Sequence, residues 1–230
     1  MERSAEERRA FVLAQTRLAP VPGLEGVLLR TADAAFPLWH EAADWLKRGE
    51  LALPFWAFPW AGGVGLAHHL QLHPELVAGR DVTDVASGSG LVGIVAAKLG
   101  ALQVHCLDID PMAAEAAALN AVANGIELVA ETADVTALAP RGGLILAGDI
   151  CYEGPMASAL LAWLRSCAEA GAEVLLGDPG RHYLDASGMV CVGRYLLPSS
   201  RELEAGDEAV CSVYRLVWSG RGARLRKSMR

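Results

Sequence analysis

The sequence predicts an α/β fold with a mostly parallel sheet of seven strands, helices on both faces of the sheet and an antiparallel final strand. Short apolar and β-branched runs alternate with segments of helical apolar spacing from about residue 66 onward. The first run leads directly into a glycine-rich turn, and the last two runs have no long helix between them. With 230 residues, of which 53% are hydrophobic and 20% are charged, the chain is long enough for one well-buried domain.

Each element of this fold follows from a local pattern. Val82-Thr83-Asp84-Val85 is a short run typical of a buried strand, and residues 91–99 have helical spacing without proline. The same alternation continues to residue 177, so we expect parallel strands joined by helices. The polar stretch 198–207 suits a hairpin, which makes the final strand antiparallel. The predicted strands span residues 81–85, 103–107, 127–131, 144–149, 173–177, 189–197 and 210–218, and the predicted helices span 66–77, 91–99, 111–124 and 155–170.

A largely helical N-terminal extension precedes this unit. Residues 5–17 and 38–46 have the spacing of helices, and residues 23–29 are typical of an extended segment. We predict that the extension covers residues 1–60 and packs on a domain formed by residues 61–220. Residues 221–230 are rich in arginine, and we expect them to form a solvated basic tail without a catalytic role.

Charge and composition limit the partners and compartments that we expect. Twenty basic residues against 27 acidic ones give a net charge of −7, which argues against nucleic-acid binding because phosphate neutralisation needs a basic face. The charged N-terminus lacks the apolar core of a signal peptide, so we expect a cytoplasmic protein, or a protein of the mitochondrial matrix in a eukaryote. Residues 51–74 carry no Asp, Glu, Lys or Arg, but their prolines and the Gly62-Gly63 pair make them a poor membrane span. We therefore expect no nucleic-acid or membrane partner. Separately, we expect a monomer.

The cysteines and histidines do not form a metal-binding pattern. The five cysteines are well separated and include no C-x-x-C pair, so neither a disulfide framework nor a zinc cluster is indicated. His68, His69 and His73 fall on or near one predicted helix, and no cluster of acidic ligands accompanies them at metal spacing. We therefore predict no metal site.

The glycine-rich turn after the first predicted strand is the main candidate for ligand binding. Its strand carries Asp84, and the turn runs Ala86-Ser87-Gly88-Ser89-Gly90 into a helix. Glycines at 88 and 90 permit positive φ angles and a close approach of the backbone to a ligand. The carboxyl ends of parallel strands are where ligands bind in open α/β sheets. We therefore predict that Asp84, Ala86, Ser87, Gly88 and Gly90 bind a cofactor.

Two cofactors are compatible with this turn. Gly88-x-Gly90-x-x-Gly93, with Asp108 about twenty residues beyond, also fits the dinucleotide pattern, which leaves an NAD-dependent oxidoreductase as an alternative. The acidic residue Asp84 suits a cationic ligand better. S-adenosylmethionine carries an amino group and a sulfonium and has no pyrophosphate, so it is the cofactor we predict.

Carboxylates after the second and third strands are candidates for the ribose and the adenine. Asp108 ends the second strand and can accept hydrogen bonds from both ribose hydroxyls, while Asp110 precedes Pro111 and is expected to cap a helix. Asp134 is placed to touch the adenine amino group or, alternatively, to serve as a turn residue. Ile109 and Val135, the next residues in each turn, complete the predicted cofactor contacts.

Three motifs together resemble a known enzyme family. They are Asp149-Ile150-Cys151-Tyr152, Pro54-Phe55-Trp56-Ala57-Phe58-Pro59-Trp60-Ala61-Gly62-Gly63 and Gly177-Asp178-Pro179-Gly180-Arg181. With the glycine turn, they resemble the seven-β-strand class I methyltransferases, which have a Rossmann-like fold. More narrowly, they resemble the D-x-x-Y lysine methyltransferases of the electron transfer flavoprotein β-subunit group and its bacterial relatives. The similarity covers residues 25 to 218. Ala86 departs from it, because the family more often has glycine there, and a positive φ at alanine would introduce strain.

The resemblance implies a protein-lysine N-methyltransferase. It implies that Trp60 and the glycine turn contact S-adenosylmethionine, and that Asp149 and Tyr152 lie where the target amine enters. The implied protein substrate is the electron transfer flavoprotein β-subunit, with a ribosomal protein as a second target. The residues themselves agree in part, because the apolar run 144–146 delivers Asp149 to the carboxyl end of a central strand.

Other interpretations of these residues remain open from sequence. One alternative is that Asp149 only caps the next turn. Another is that Trp56 and Trp60 are core residues. The competing functions are a small-molecule N-methyltransferase and a binding module that keeps the fold without catalysis. We expect the partner surface to include the N-terminal extension and residues 194–206, which border the predicted cleft.

Overall fold

The computed structural model describes residues 3–32, 54–199, 204 and 206–217, and its core is a sheet between two layers of helices. The described helices are α1 (Ala5–Gln15), α2 (Ala61–Leu72), α3 (Leu91–Lys98), α4 (Pro111–Ala123) and α5 (Gly154–Glu169). The described strands are β1 (Arg17–Pro20), β2 (Leu28–Thr31), β3 (Asp81–Val85), β4 (Gln103–Asp108), β5 (Val129–Thr132), β6 (Leu144–Gly148), β7 (Glu173–Asp178), β8 (Met189–Pro198) and β9 (Glu208–Leu216). Single 3-10 turns occur at Phe55–Ala57, Pro74–Leu76 and Val135–Ala137.

Seven of the described strands form one mixed sheet in the order β5-β4-β3-β6-β7-β9-β8. The first five in this order are parallel, and β9 runs antiparallel to both β7 and β8. This topology confirms the predicted sheet and its antiparallel final strand. The strand order reverses between β3 and β6, and the crevice at such a switch point is where α/β folds bind ligands.

Apolar residues on both faces of the central strands explain why these strands are buried. Leu144 and Leu146 of β6 pack with α2 and α3 on one face, whereas Ile145 and Ala147 pack with α5 on the other. Successive residues of a strand point to opposite faces, so an unbroken apolar run is what a strand covered on both sides requires. The carboxyl end of β6 is thereby held rigidly in the middle of the sheet.

The N-terminal extension differs from the prediction in its second half. Helix α1 ends at Gln15, and Arg17 already begins the antiparallel β1–β2 hairpin. The segment predicted as extended at 23–29 instead contains the turn between these strands, with Gly23 and Gly26 at φ angles of 80° and 65°. Positive φ angles are easily reached by glycine and reverse the chain direction. The predicted helix at 38–46 and the basic tail at 221–230 lie outside the described residues.

The helix predicted at 66–77 begins and ends about five residues earlier than expected. Helix α2 begins at Ala61 and includes Gly62 and Gly63, although glycine disfavours helices, and close packing requires glycine at position 62. It ends at Leu72 because His73 precedes a proline, which disfavours helical angles at His73. Smaller differences are the start of β5 at Val129 and the end of β9 at Leu216.

The described parts of the chain were also searched for membrane spans and metal sites. In residues 3–32, 54–199 and 206–217, no helix is both long and apolar enough to cross a membrane. Within the same ranges, no group of three or more His, Cys, Asp or Glu side chains is placed to hold a metal ion.

Candidate active site

A cleft of about 830 Å³ lies at the carboxyl ends of β3, β4 and β6. Its walls are formed by the glycine turn after β3, the turns after β4 and β5, the end of β6 and the aromatic segment before α2. Every predicted site residue except Gly90 lines it: Trp60, Asp84, Ala86, Ser87, Gly88, Asp108, Ile109, Asp134, Val135, Asp149 and Tyr152. Residues of the same cleft that were not predicted as site residues include Phe55, Met156, Leu160 and Arg181.

The glycine turn has the tight geometry predicted for it. Ala86, Gly88 and Gly90 have φ angles of 49°, 51° and 76°. A side chain at Gly90 would meet the Ala117 Cβ at 2.8 Å, so Gly90 supports packing on α4 instead of lining the cleft. Ala86 adopts the strained conformation anticipated from sequence, since a positive φ costs free energy at any residue with a Cβ.

Asp84 lies beneath the turn and holds it against α3. Its Oδ2 accepts a hydrogen bond from the Gly93 N–H at 2.9 Å, and the residue is 1% exposed. Burial raises the pKa of Asp84 to about 8. The buried Ser87 hydroxyl has no hydrogen-bond partner among the described residues, so it is free to bind a polar ligand in the cleft.

Asp108 joins the turn to the end of β4. Its Oδ2 accepts from the Gly88 N–H at 2.8 Å, and its Oδ1 accepts from the Asp110 N–H at 2.9 Å. Burial raises the pKa of Asp108, although these backbone hydrogen bonds act in the opposite direction. Each oxygen keeps a second acceptor position, which suits a diol. Asp110 caps α4 through the Met112 N–H at 2.8 Å, as predicted.

The turn after β5 forms one wall of the cleft. Asp134 accepts hydrogen bonds from the Thr136 N–H at 3.0 Å and the Thr136 hydroxyl at 2.6 Å. Its carboxylate therefore caps the 3-10 turn at Val135–Ala137, which is the turn role left open from sequence. Ile109 is 68% exposed and Val135 is 4% exposed, so they offer an open and a buried apolar surface respectively.

An aromatic group covers the opposite side of the cleft. The Phe55 ring lies 4.8 Å from the Tyr152 ring and 5.8 Å from the Trp60 ring, and the Trp60 indole N–H donates to the Phe55 carbonyl at 2.8 Å. Burial, aided by Asp108 and Asp149, raises the pKa of Tyr152 to about 12, so its phenol is neutral near pH 7. Trp56 is 3% exposed and belongs to the core cluster of α1 and α4.

Asp149 follows β6 at the base of this aromatic group. Its φ angle is 60°, and its N–H donates to the Gly177 carbonyl at 2.9 Å. Its Oδ2 accepts from the Gly62 N–H, the second residue of α2, at 2.9 Å. A Cβ at Gly62 would lie 2.6 Å from the Asp149 nitrogen, so only glycine lets α2 approach this closely. Asp149 is 6% exposed, and backbone groups hold both its main chain, through Gly177, and its carboxylate, through Gly62.

Arg181 and Glu204 extend this site and were not predicted as site residues. Arg181 Nε donates to Asp149 Oδ1 at 2.6 Å, and Arg181 Nη2 donates to Glu204 Oε1 at 2.6 Å. Burial alone would lower the pKa of Arg181, but its hydrogen bonds to Asp149 and Glu204 raise it above the usual value. The only sequence signal was the presence of Arg181 in the Gly177–Arg181 motif, and Glu204 carried no signal beyond its place in the 194–206 segment.

The fold and the cleft define a class I methyltransferase, an enzyme that takes its methyl group from S-adenosylmethionine. Residues 70–145 match the family model of ribosomal protein L11 methyltransferase (PrmA). Over 182 residues, which are 77% of this chain, the chain is 40% identical to the electron transfer flavoprotein beta subunit lysine methyltransferase of Danio rerio and covers 69% of it. Over 181 residues it is 34% identical to the enzyme of the same name from Xenopus laevis and covers 72% of it. The chain belongs to the electron transfer flavoprotein β-subunit lysine methyltransferase family.

A solved structure supports the fold independently. The putative RNA methyltransferase PH1948 from Pyrococcus horikoshii superposes with a TM-score of 0.54 at 17% identity, covering 78% of this chain and 99% of that one. At this identity the likeness concerns the fold alone. The family assignment, in turn, decides between the two cofactors that the glycine turn allowed, because a methyltransferase uses S-adenosylmethionine and not a nicotinamide dinucleotide.

Proposed function

We propose that this chain is a protein-lysine N-methyltransferase whose substrate is the electron transfer flavoprotein β-subunit, with a ribosomal protein as a second target. The observation that carries the proposal is the Asp149 carboxylate, which is held at the base of the cleft beside Tyr152 and Phe55. The names of the vertebrate relatives and of the matching family model support the choice of substrates.

The residues of the cleft fit S-adenosylmethionine. Ser87 offers a buried hydroxyl that no described residue hydrogen-bonds, and Asp108 offers free acceptor positions for the ribose diol. Asp84 lines the cleft from beneath the glycine turn and holds that turn in place through the Gly93 N–H, and Trp60, Ile109 and Val135 provide apolar surface. When bound, this cofactor supplies a methyl group activated by a sulfonium charge.

The remaining work of the site is to position a neutral lysine amine. A free lysine has a pKa of about 10.4, so the amine must lose its proton before it can attack. Desolvation among Phe55, Trp60 and Tyr152 favours the uncharged form. Asp149 accepts a hydrogen bond from the amine and directs its lone pair at the methyl carbon, and correct alignment of the reacting atoms provides most of the rate acceleration.

Several further expectations belong to this proposal. We propose that the enzyme acts as a monomer in the cytoplasm, or in the mitochondrial matrix of a eukaryote, without nucleic acid or membrane partners. We also retain the division into an extension at 1–60, a catalytic domain at 61–220 and a basic tail at 221–230. A small-molecule N-methyltransferase is the competing function, because a polar amine of any origin fits the same cleft.

The test uses radiolabelled S-adenosylmethionine and an extract of cells that lack the enzyme. We expect label in a protein band with the wild-type enzyme and loss of at least 99% of that label with Asp149→Asn. Cofactor affinity measured by calorimetry should stay within about threefold. Glu173→Gln is the matched control, because Glu173 also pairs with arginines but lies at the opposite end of the sheet. Label confined to small molecules would refute the protein substrate, and full activity of Asp149→Asn would refute the role of Asp149.

A further inference from the structure

Arg181 contacts Asp149 at two points. Nε donates to Oδ1 at 2.6 Å and Nη2 donates to Oδ2 at 3.0 Å, which fixes the plane of the carboxylate as well as its position. The Gly62 N–H adds a third bond to Oδ2 at 2.9 Å. Since a carboxylate has about four acceptor positions, one position on Oδ1 remains for a ligand in the cleft.

The motif at Gly177–Arg181 explains why the Arg181 guanidinium lies beside the Asp149 carboxylate. Asp178 is 1% exposed, and its Oδ1 accepts from the N–H groups of Gly180 at 2.6 Å and Arg181 at 2.8 Å. This turn anchors the Arg181 backbone to the end of β7. On its far side, the guanidinium donates to both Glu204 oxygens, at 2.6 and 3.1 Å. The two motifs at 149–152 and 177–181 thus act on the same carboxylate.

The charges around Asp149 give this contact a chemical role. Besides Arg181, the titratable groups on which the charge of Asp149 acts are Cys151, Tyr152, Asp178 and Cys211, and Glu204 shares the Arg181 guanidinium with Asp149. Burial raises the pKa of Cys151, Tyr152 and Cys211 to about 12, so these groups are uncharged near pH 7. In the described part of the chain, Arg181 is the cation that contacts Asp149. Without it, an uncompensated carboxylate would keep a bound lysine in its charged, unreactive form.

We propose that Arg181 is a positioning residue for methyl transfer, which orients Asp149 and offsets its negative charge so that the lysine amine is held while uncharged. This inference rests on the proposed function of the cleft. The amine first releases a proton to water. Its lone pair then forms the new N–C bond, and the electron pair of the breaking C–S bond stays on sulfur.

The test is the pH dependence of kcat for Arg181→Gln and Arg181→Lys. A charge within about 4–6 Å shifts a pKa by about 1–3 units, and we expect the lower end because Glu204 also binds the guanidinium. For Arg181→Gln, the midpoint of the curve of kcat against pH should rise by about one pH unit. At pH values below the midpoint, kcat should therefore be about tenfold lower than in the wild type. Arg181→Lys keeps the charge but loses the two-point contact, so it should keep the midpoint and lower kcat at all pH values.

Arg80→Gln is the control, because Arg80 pairs with Glu173 at 2.9 Å at the amino ends of β3 and β7, away from the cleft. It should change neither the midpoint nor kcat. If the midpoint of kcat against pH is the same in Arg181→Gln as in the wild type, Arg181 has only a structural role and the proposal is overturned. A higher kcat/KM with Arg181→Gln would also overturn it, because Arg181 would then compete with the substrate for Asp149.

A second readout separates this inference from the proposed function. Carbon-13-labelled butylamine is titrated in the presence of the enzyme and S-adenosylhomocysteine, and its NMR shift reports the protonation of the bound amine. The bound-amine pKa should be about one unit lower with wild type than with Arg181→Gln. Equal values, or no binding of butylamine, would overturn the role of Arg181. If no protein accepts label but the two pKa values differ, only the proposed protein substrate fails.

Discussion

Gly62 is the residue at which helix α2 most closely approaches the strand ends that carry Asp149. A Cβ at this position would lie 2.6 Å from the Asp149 nitrogen, 2.6 Å from the Gly177 carbonyl oxygen and 2.8 Å from the Asp149 Cα. All three atoms belong to the backbone, so no side-chain rotation can relieve the contact. In Gly62→Ala, α2 must therefore move away from β6 and β7 by several tenths of an ångström.

The size of the effect follows from two opposing terms. Overpacking a well-packed core costs about 1–3 kcal/mol, and contacts with rigid backbone belong to the upper part of that range. Alanine regains at most about 1 kcal/mol of helix propensity relative to glycine. We expect Gly62→Ala to lower the free energy of unfolding by about 2 kcal/mol, which for a domain of this size lowers Tm by about 4–8 °C. Because the shift also moves the Gly62 N–H away from Asp149, kcat should fall by about tenfold, since a misplacement of a full ångström costs up to about 100-fold.

Gly63→Ala is the matched control, one residue further along the same helix. Its Cβ would lie 3.9 Å from both Leu91 and Val92, which is an ordinary contact. This variant should keep the wild-type Tm or raise it by up to about 4 °C, as expected for a gain of about 1 kcal/mol in helix propensity. Thermal unfolding followed by circular dichroism and single-turnover methyl transfer measure both effects. Equal Tm values for the two variants would refute the packing argument.

Two further predictions concern strain and pH. Ala86→Gly removes a Cβ from a residue at φ 49° and should raise Tm by up to about 4 °C, since relief of about 1–2 kcal/mol exceeds the entropy cost of glycine. It should also keep or increase S-adenosylmethionine affinity measured by calorimetry, and a lower Tm would contradict strain at Ala86. Burial, aided by His73, lowers the pKa of His69 to about 4, so the native protein holds it neutral while the unfolded chain protonates it below about 6.5. Stability should therefore fall as the pH drops from about 6.5 to 4, and urea titrations should show a smaller fall for His69→Gln; an identical fall in both proteins would exclude His69 as a source.

The parts of the fold that were predictable are those in which a local pattern decides the structure. The parallel strands have unbroken apolar runs because both of their faces are covered, and the Asp110-Pro111 pair marks a helix start in any context. The glycine turn was recognisable for the same reason. Its geometry follows from the allowed φ angles of its own residues, and tertiary contacts refine it only slightly.

The parts that were missed depend on contacts between distant residues. Arg181 lies 32 residues from Asp149 and 23 from Glu204, and no periodicity in the sequence indicates that these side chains meet. The early start of α2 has a similar cause. Gly62 and Gly63 read as helix breakers, whereas close packing on Asp149 and Gly177 makes glycine necessary at position 62.

The position of β9 between β7 and β8 constrains the order in which the sheet is completed. Strand β8 is synthesised first, but among the described strands it pairs with β9 alone, so it cannot join this sheet until β9 exists. Strand β8 can therefore join only together with β9, as a hairpin, or after β9 has closed onto β7. Glu204 lies between these two strands in the sequence, so it reaches its position beside Arg181 only when they join the sheet. The glycine turn and Asp149 come from earlier parts of the chain. The side of the cleft that is formed by the glycine turn can thus fold before Glu204 completes the contacts of Arg181 with Asp149 and Glu204.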